Sequence, residues 1–302
     1  MRAPGPFGPA PASYVPGVST LYLVSTPIGH LGDITLRAGE VLASVDRILV
    51  EDTRRTRVLL EHLHIRTPMV SLHAHNEAER IGAVLGWLGA GESLALVSDA
   101  GTPLMSDPGE RLVPAVVEAG HTVVPIPGPS AILAALVASG LPTVPFKFLG
   151  FPPRKGKDRS TFLERVAESR DTVVLFESPE RLRALLTALQ EVCGPERRVA
   201  VARELTKLHE EVTRGTLAEV GAYYSQGRIR GEICVVVEGA PPSSEPGADE
   251  ETGRILARSL LEQGMSPSRV AREVGRIVGL PRSLAYRIVH TLPGIEGGEE
   301  AP

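Results

Sequence analysis

The alternation of strand-like and helix-like segments constrains the fold of this chain most strongly. Apolar, β-branched runs are each followed by a stretch in which apolar residues recur at helical spacing, and these runs lie at 20–25, 46–50, 68–72, 94–98 and 121–126. Strands separated by helices cannot pair as hairpins, so we expect a mostly parallel sheet with helices on both faces. Ligands of such sheets bind outside the carboxyl ends of the strands.

The pattern changes after Pro145. Five further strand-like runs follow, and only a short loop separates the third of them, RVAVARE, from the fourth, EEVTRGT. Such a short connection permits an antiparallel pair. The sequence therefore predicts an α/β protein with two α/β domains, 19–144 and 145–240, a mixed sheet in the second and a cleft between them.

The remaining segments differ in composition from this body. Residues 1–18 are rich in proline and glycine, which predicts a disordered extension. A linker is expected at 241–253, a small helical module of helix-turn-helix type at 254–292, and a loose tail at 293–302.

Composition excludes several protein classes. The chain has 302 residues, 36 acidic against 32 basic, and two cysteines, too few for a disulfide framework or a four-thiolate metal site. The longest apolar run, Ala131 to Ala138, is far shorter than the roughly 20 residues of a membrane span. Prolines interrupt every apolar stretch that could serve as a secretory signal. We expect a cytoplasmic protein without a membrane partner.

Familiar phosphate and metal motifs are missing. No G-x-G-x-x-G follows a strand, and the P-loop-like segment from Gly150 to Lys157 has the wrong glycine spacing. His62 and His64 stand two residues apart, which points them to different sides of a helix. We therefore expect no metal site.

Three glycine-proline turns follow predicted strands, at 25–35, 98–109 and 125–131. Glycine lets a ligand approach the backbone and proline fixes a turn, so the three loops are expected to line one pocket. Asp99 would supply a carboxylate there. The alternative is that Asp99, Asp107 and Ser130 only cap helices.

These turns belong to a longer series of segments with a family resemblance. LYLVSTPIGHLGDITLRA, VEDTRRTRVLL, SLHAHNE, ALVSDAGTPLMSDPGERLV, PIPGPSAILAAL, FKFLGFPPRKGKDR, VVLFESPERL, VARELTKLHEEVTRG and RGEICVVVEG appear in this order between about residues 20 and 239. Together they resemble the bacterial 16S ribosomal RNA cytidine 2'-O-methyltransferases, the RsmI family, a branch of the tetrapyrrole methylase superfamily. The turn TPIGHLGD resembles this branch and not the G-P-G-D type turn of most tetrapyrrole methylases.

The resemblance implies S-adenosylmethionine as cofactor, bound in the cleft between the two α/β domains. It also implies which positions of this chain bind the cofactor, namely Pro27, Ile28, Asp99, Gly101, Thr102, Leu104, Ser130, Ala131, Phe176, Leu205 and Ile233. The apolar members of this set are equally compatible with ordinary sheet core.

Methyl transfer to a ribose hydroxyl benefits from a group that removes the proton. Two polar clusters follow the second and third strands, and from them we consider Glu77, His75 or Asp52 as the proton acceptor. Arg54 and Asn76 would orient the RNA. Because acidic residues are favoured at helix starts, Asp52 and Glu77 are also compatible with capping roles.

Basic residues are concentrated in two stretches. The first contains Arg154, Lys155, Lys157 and Arg159 and is interpreted as a phosphate-contacting loop or, alternatively, as a solvated one. The second runs from Arg254 to Arg287, with seven arginines and two acids. Its helix-turn-helix outline would suit RNA binding but also describes any small three-helix bundle.

The resemblance implies methylation of the ribose 2'-oxygen of a cytidine in 16S ribosomal RNA, in the decoding region of the small subunit. The implied partners are 16S rRNA or the 30S subunit and a second copy of the chain in a homodimer. Two alternatives stay open: a methyltransferase acting on a tetrapyrrole or another small molecule, and a non-catalytic RNA-binding or ribosome-assembly protein.

Overall fold

The computed structural model describes residues 19–241, 246–280 and 282–292. The expected N-terminal extension and C-terminal tail lie outside these residues. The chain divides into two compact units, one ending at Ala240 and the other beginning at Pro241.

The first sheet of the larger unit is entirely parallel. Its order is β3-β2-β4-β1-β5, and its strands are β1 (Thr20–Val24), β2 (Arg47–Val50), β3 (Met69–Ser71), β4 (Leu94–Val97) and β5 (Thr122–Ile126). The parallel sheet predicted from the alternating segments is confirmed.

Helices cover both faces of this sheet. They are α1 (Leu36–Ser44), α2 (Thr53–His62), α3 (Glu77–Gly89) and α4 (Leu112–Glu118). A further helix, α5 (Ala131–Ala138), follows β5. Alternate residues of β4 point to opposite faces, since Ala95 and Val97 pack with α1 and α2 while Leu94 and Leu96 pack with α3 and α4. Burial on both sides explains why β4 reads as a continuous apolar run.

The second sheet is mixed, as predicted. Its order is β6-β7-β10-β8-β9, and its strands are β6 (Phe146–Phe148), β7 (Thr172–Glu177), β8 (Arg198–Arg203), β9 (Glu211–Thr216) and β10 (Ile233–Val237). Only β6 and β7 pair in parallel; β8 and β9 form the expected antiparallel pair. One face packs against α6 (Lys157–Glu168), α7 (Leu182–Cys193) and α8 (Leu217–Tyr224).

The other face of the second sheet packs against α5. Ile132, Ala135 and Leu136 form a core with Val174 and Val236 of the second sheet. The expected boundary at residue 145 placed α5 with the first domain, whereas its apolar side chains belong to the second core. This helix therefore connects the two sheets within one compact unit.

The C-terminal unit consists of α9 (Pro246–Glu262), α10 (Pro267–Val278) and α11 (Arg282–His290) around a small apolar core. The prediction of a linker over 241–253 was wrong from residue 246 onward. Glu250 and Glu251 lie in the early turns of α9, where the helix dipole favours negative charge. Gly279, with a left-handed φ of 74°, ends α10 before the turn into α11.

The helices that the structure describes include none with both the length and the apolar character needed to span a bilayer.

Candidate functional site

A cavity of about 420 Å³ lies between the two sheets of the larger unit. Residues that follow the carboxyl ends of β2 and β4 form one side, and residues of β7, β8 and β10 form the other. Most residues predicted to bind a cofactor line it, namely Ile28, Asp99, Gly101, Thr102, Ser130, Ala131, Phe176, Leu205 and Ile233. Its size falls within the roughly 300–1,000 Å³ of small-molecule pockets.

Two of the predicted cofactor residues do not line the cavity. Pro27 is buried next to Ile28, which takes the place at the cavity wall. Leu104 instead packs against the core beneath β4, and its side chain approaches the backbone at Gly109. These two positions are therefore not part of the cavity wall, and their contact with the cofactor stays a prediction.

The three glycine-proline turns meet as expected. Thr26 and Gly101 exchange two backbone hydrogen bonds of 2.9 and 3.0 Å, and the Thr102 hydroxyl donates to the Pro129 carbonyl at 3.3 Å. Gly101 has a φ of 81°, a backbone conformation that residues with a Cβ rarely adopt. The first turn also approaches the second sheet closely, since the backbone N–H of His30 donates to Thr206 Oγ1 at 3.0 Å.

Ser130 combines both roles considered for it. Its hydroxyl accepts a hydrogen bond from the backbone N–H of Leu133 at 3.4 Å, which caps α5, and the residue also lines the cavity. The cavity therefore includes the amino-terminal end of α5.

One wall of the cavity is apolar and aromatic. Phe176 packs against Phe148 and Phe151, with ring centroids 4.9 and 5.5 Å apart. Leu205 and Ile233 flank it on neighbouring segments. Such a wall suits a flat heterocycle, which loses its hydration on binding.

The opposite wall carries three carboxylates, from Glu51, Asp99 and Asp107. Burial raises the pKa of Asp107 to about 7; the negative charge of Glu51 adds to the effect, and a hydrogen bond from Ser98 opposes it. Burial, together with the charge of Asp99, also raises the pKa of Glu51. Asp99 is partly neutralised by Arg55, 3.4 Å away, and accepts a hydrogen bond from the backbone N–H of Asp52.

Sequence reasoning missed Glu51 and left Asp107 open between a place in the pocket and a helix cap. Their common signal is that each lies just after a strand or in a glycine-proline turn at the ligand-binding edge of the sheet. Within the part of the chain that the structure describes, no three His, Cys, Asp or Glu side chains are grouped to hold a metal ion.

None of the three predicted proton acceptors lines the cavity. Glu77 is only 6% exposed, and its Oε1 accepts hydrogen bonds of 2.9 Å from the backbone N–H groups of Arg111 and Leu112. It therefore caps α4. This corrects the catalytic prediction, because a carboxylate held by two backbone donors at a helix start is already committed to the fold.

Asp52 and His75 are also placed elsewhere. Asp52 caps α2 and pairs with Arg54, and these hydrogen bonds lower its pKa to about 2, so it is a weak base at neutral pH. His75 is exposed and contacts the ring of His73.

The predicted RNA-contacting residues fall into two groups. Asn76 accepts from the backbone N–H of His73 and donates to the Ser71 carbonyl, so it stabilises its own turn, which corrects that prediction. Arg54 is 87% exposed at its side chain. The basic loop is also exposed at Arg154, Lys155 and Lys157, whereas Arg159 is half-buried and donates to the Pro153 carbonyl.

Comparison with known proteins agrees with this geometry. Residues 20–221 match the family model described as Tetrapyrrole (Corrin/Porphyrin) Methylases. Uroporphyrin-III C-methyl transferase from Thermus thermophilus, solved with S-adenyl homocysteine, is similar in fold, with a TM-score of 0.53, 19% identity, and coverage of 72% of this chain and 97% of that one. The methyltransferase CobJ gives a TM-score of 0.55 at 21% identity, covering 74% and 95% of the two chains.

Curated relatives are much closer in sequence. Ribosomal RNA small subunit methyltransferase I of a Synechocystis species is 48% identical, over 89% of this chain and 96% of the relative. The protein of the same name from Bacillus subtilis is 41% identical, over 89% and 92%. The chain thus belongs to the ribosomal RNA small subunit methyltransferase I family, a branch of the tetrapyrrole methylases.

Proposed function

We propose that this protein transfers the methyl group of S-adenosylmethionine to the ribose 2'-oxygen of a cytidine in 16S ribosomal RNA. The observation that carries the proposal is the cavity between the two sheets, with an aromatic wall facing an acidic one, in a chain 48% identical to a ribosomal RNA small subunit methyltransferase I.

The residues of the cavity fit S-adenosylmethionine. Phe176, Leu205 and Ile233 form an apolar surface for the adenine, and the carboxylates opposite them attract a cationic methionine end. Gly101 lines the cavity in a left-handed conformation and has no side chain, so a ligand can approach its backbone closely. When bound, this cofactor supplies a methyl group already activated by a positively charged sulfur.

The chain's own contribution is then mainly to position the acceptor and exclude water. In-line displacement gains most of its rate from fixing the two reactants at reacting distance in a site shielded from solvent. Loops from both sheets enclose the cavity, and their contact at His30 and Thr206 fixes one side of it. The small-molecule alternative shares this chemistry and differs in the acceptor.

The acceptor strand would approach across exposed basic residues. Arg54, Arg154, Lys155 and Lys157 are solvent-exposed, and none of the four has an acidic partner from a distant part of the described chain. In the C-terminal unit, Arg254, Arg258 and Arg287 line one groove between α9 and α11 together with Glu250 and Glu251, and Arg254 lies 3.7 Å from Glu250. Phosphate oxygens are the expected partners of such guanidinium groups.

We further propose a cytoplasmic homodimer whose substrate is 16S rRNA, free or within the 30S subunit. Support for the dimer comes from α5, on which Leu133 and Val137 are 52% and 71% exposed although the helix is apolar on all sides. A helix of this kind is usually covered.

The test supplies labelled S-adenosylmethionine together with either 30S subunits that lack the modification or protein-free 16S rRNA. We expect label in RNA, and the preferred substrate identifies the state of the ribosome that is recognised. Failure to label either RNA substrate would contradict the proposal.

A further inference from the structure

The carboxylate of Asp107 faces the cavity. Among the described residues, neither helix capping nor ion pairing accounts for it. We propose that Asp107 accepts the proton of the ribose hydroxyl during methyl transfer, and that the negative charge of the neighbouring Glu51 makes Asp107 a stronger base. This inference rests on the proposed function.

The loop that carries Asp107 holds it in place through unusual backbone geometry. Leu104 and Ser106 adopt left-handed φ values of 71° and 75°, which residues other than glycine rarely do. Gly109 ends the turn against Leu96 and Leu104, where a Cβ would come within 2.9 Å of a Leu96 methyl group. Strained backbone of this kind persists where packing enforces it and is concentrated at functional sites.

The charged groups around Asp107 come from several elements. Glu51 follows β2 and Asp99 follows β4, so two further carboxylates face it from the first sheet. Arg55 of α2 is the nearby cation, but it lies 3.4 Å from Asp99 and 3.9 Å from Glu232. Among the described residues, Asp107 forms no ion pair.

Another carboxylate of the cavity has a cationic partner. Glu177 lines the wall at the end of β7, and its Oε1 forms an ion pair with Arg181 and accepts from the Ser178 backbone N–H, while its Oε2 is buried without a hydrogen-bond partner. His73 lies beside Glu51 and lowers the pKa of that carboxyl slightly by its charge. Asp99, Glu177 and Glu232 each have a cationic partner, whereas Asp107 and Glu51 form no ion pair among the described residues.

The step balances without another reactant. The hydroxyl O–H bond breaks and its proton goes to the Asp107 carboxylate, while the ribose oxygen forms a bond to the methyl carbon. The carbon–sulfur bond breaks, and the sulfur keeps the electron pair and becomes a neutral thioether. Asp107 then returns the proton to water. Its pKa of about 7 is close to the value at which a general base is most effective at neutral pH.

The test compares Asp107→Asn with the matched control Asp171→Asn, a surface aspartate before the amino end of β7 that pairs with Lys147. In single-turnover assays with 30S subunits, we expect Asp107→Asn to slow methyl transfer by about 10²- to 10⁴-fold. The control should keep the wild-type rate. Asp107→Glu, which keeps a carboxylate, should recover part of the activity.

Two readouts separate proton transfer from a purely structural role. The wild-type rate should fall as pH drops below about 7, and Glu51→Gln should move this fall to lower pH because it removes a neighbouring negative charge. Carbon NMR of aspartate carboxyl groups, recorded without substrate, should show a resonance that titrates near pH 7 and is missing in Asp107→Asn.

Asp107→Asn with a rate within about threefold of wild type, or a carboxyl resonance that titrates below pH 5, would overturn the inference. If the wild-type protein labels no RNA at all, the proposed function fails, whereas the NMR titration still reports the state of Asp107 by itself.

Discussion

At the scale of single residues, the same side chain type serves different purposes according to what surrounds it. Asp52 is held ionised by Arg54, whereas burial near Glu51 keeps Asp107 at a pKa of about 7. The sequence shows both as acids near strand ends. It cannot show their protonation, because that depends on groups that folding brings together from different strands.

A substitution at Gly101 tests whether the backbone geometry of the cavity matters for cofactor binding. Replacing this glycine with alanine forces a residue with a Cβ into a left-handed conformation, which costs about 1–2 kcal/mol, and brings that Cβ to 3.4 Å from Ile28 Cγ2 at the cavity wall. We expect roughly 10-fold weaker S-adenosylmethionine binding by calorimetry. Gly86→Ala, in α3 with open space around it, should leave binding unchanged, and equal effects of the two variants would argue against this role.

A substitution at Glu77 tests whether this residue caps a helix or acts as a catalytic base. Glu77→Ala leaves two backbone N–H groups of α4 without their partner, so we expect a loss of about 1–3 kcal/mol in urea unfolding. At a temperature where the variant is folded, single-turnover methylation should match wild type. A rate loss of 100-fold or more would restore Glu77 as a catalytic candidate.

The raised pKa of Asp107 also predicts how stability depends on pH. Between its ordinary value near 3.8 and about 7, the native state binds a proton that the unfolded state releases. The free energy of unfolding should therefore fall as pH rises through this window. Because the side chain is partly solvated, we expect Asp107→Asn to be more stable than wild type at pH 8 by about 1–2 kcal/mol and equal to it at pH 4. Denaturation at both pH values measures this difference.

At the scale of elements, the strands were predictable because alternation with helices and β-branched composition are local signals. The strand β8, expected at 198–204, is observed at Arg198–Arg203. Two element-level features depended on long-range packing and were missed. Helix α5 packs on the second sheet, and the start of α4 is capped by Glu77, 34 residues earlier in the chain.

The exposed face of α5 yields a prediction about assembly. Val137→Glu places a charge on an apolar surface that the proposed homodimer would bury, at a cost of several kcal/mol for an unpaired buried charge. Analytical ultracentrifugation should show a shift from dimer to monomer. Val117→Glu, on the exposed face of α4, is the matched control. A dimer unaffected by Val137→Glu would place the interface elsewhere.

At the scale of the whole molecule, the net charge of −4 hides an uneven distribution. Basic side chains are concentrated in the loop at 154–159 and in the C-terminal unit, so overall acidity does not exclude a polyanionic partner. The family resemblance was readable from the sequence because its motifs lie at the loops that line the cavity. The catalytic acid–base assignment was not, since it depends on which carboxylates reach that cavity.

The basic groove of the C-terminal unit can be tested by charge removal. Replacing Arg254, Arg258 and Arg287 together with alanine should weaken 30S or 16S rRNA binding and reduce its salt dependence by about 2–3 units of log–log slope. S-adenosylmethionine affinity should not change. Arg37, Arg66 and Arg170, three exposed arginines of the larger unit, form the matched control set. Equal RNA affinity in the first variant would remove the groove from the RNA-binding surface.

The most direct test of the central claim is the position of the transferred methyl group. After incubation with labelled S-adenosylmethionine, 16S rRNA from small subunits is digested with nucleases and the labelled nucleoside is identified by mass spectrometry. The account predicts one 2'-O-methylated cytidine, with the label on the ribose and its formation slowed by about 10²- to 10⁴-fold in Asp107→Asn. Label on a base, on another nucleoside, or on no RNA would contradict it.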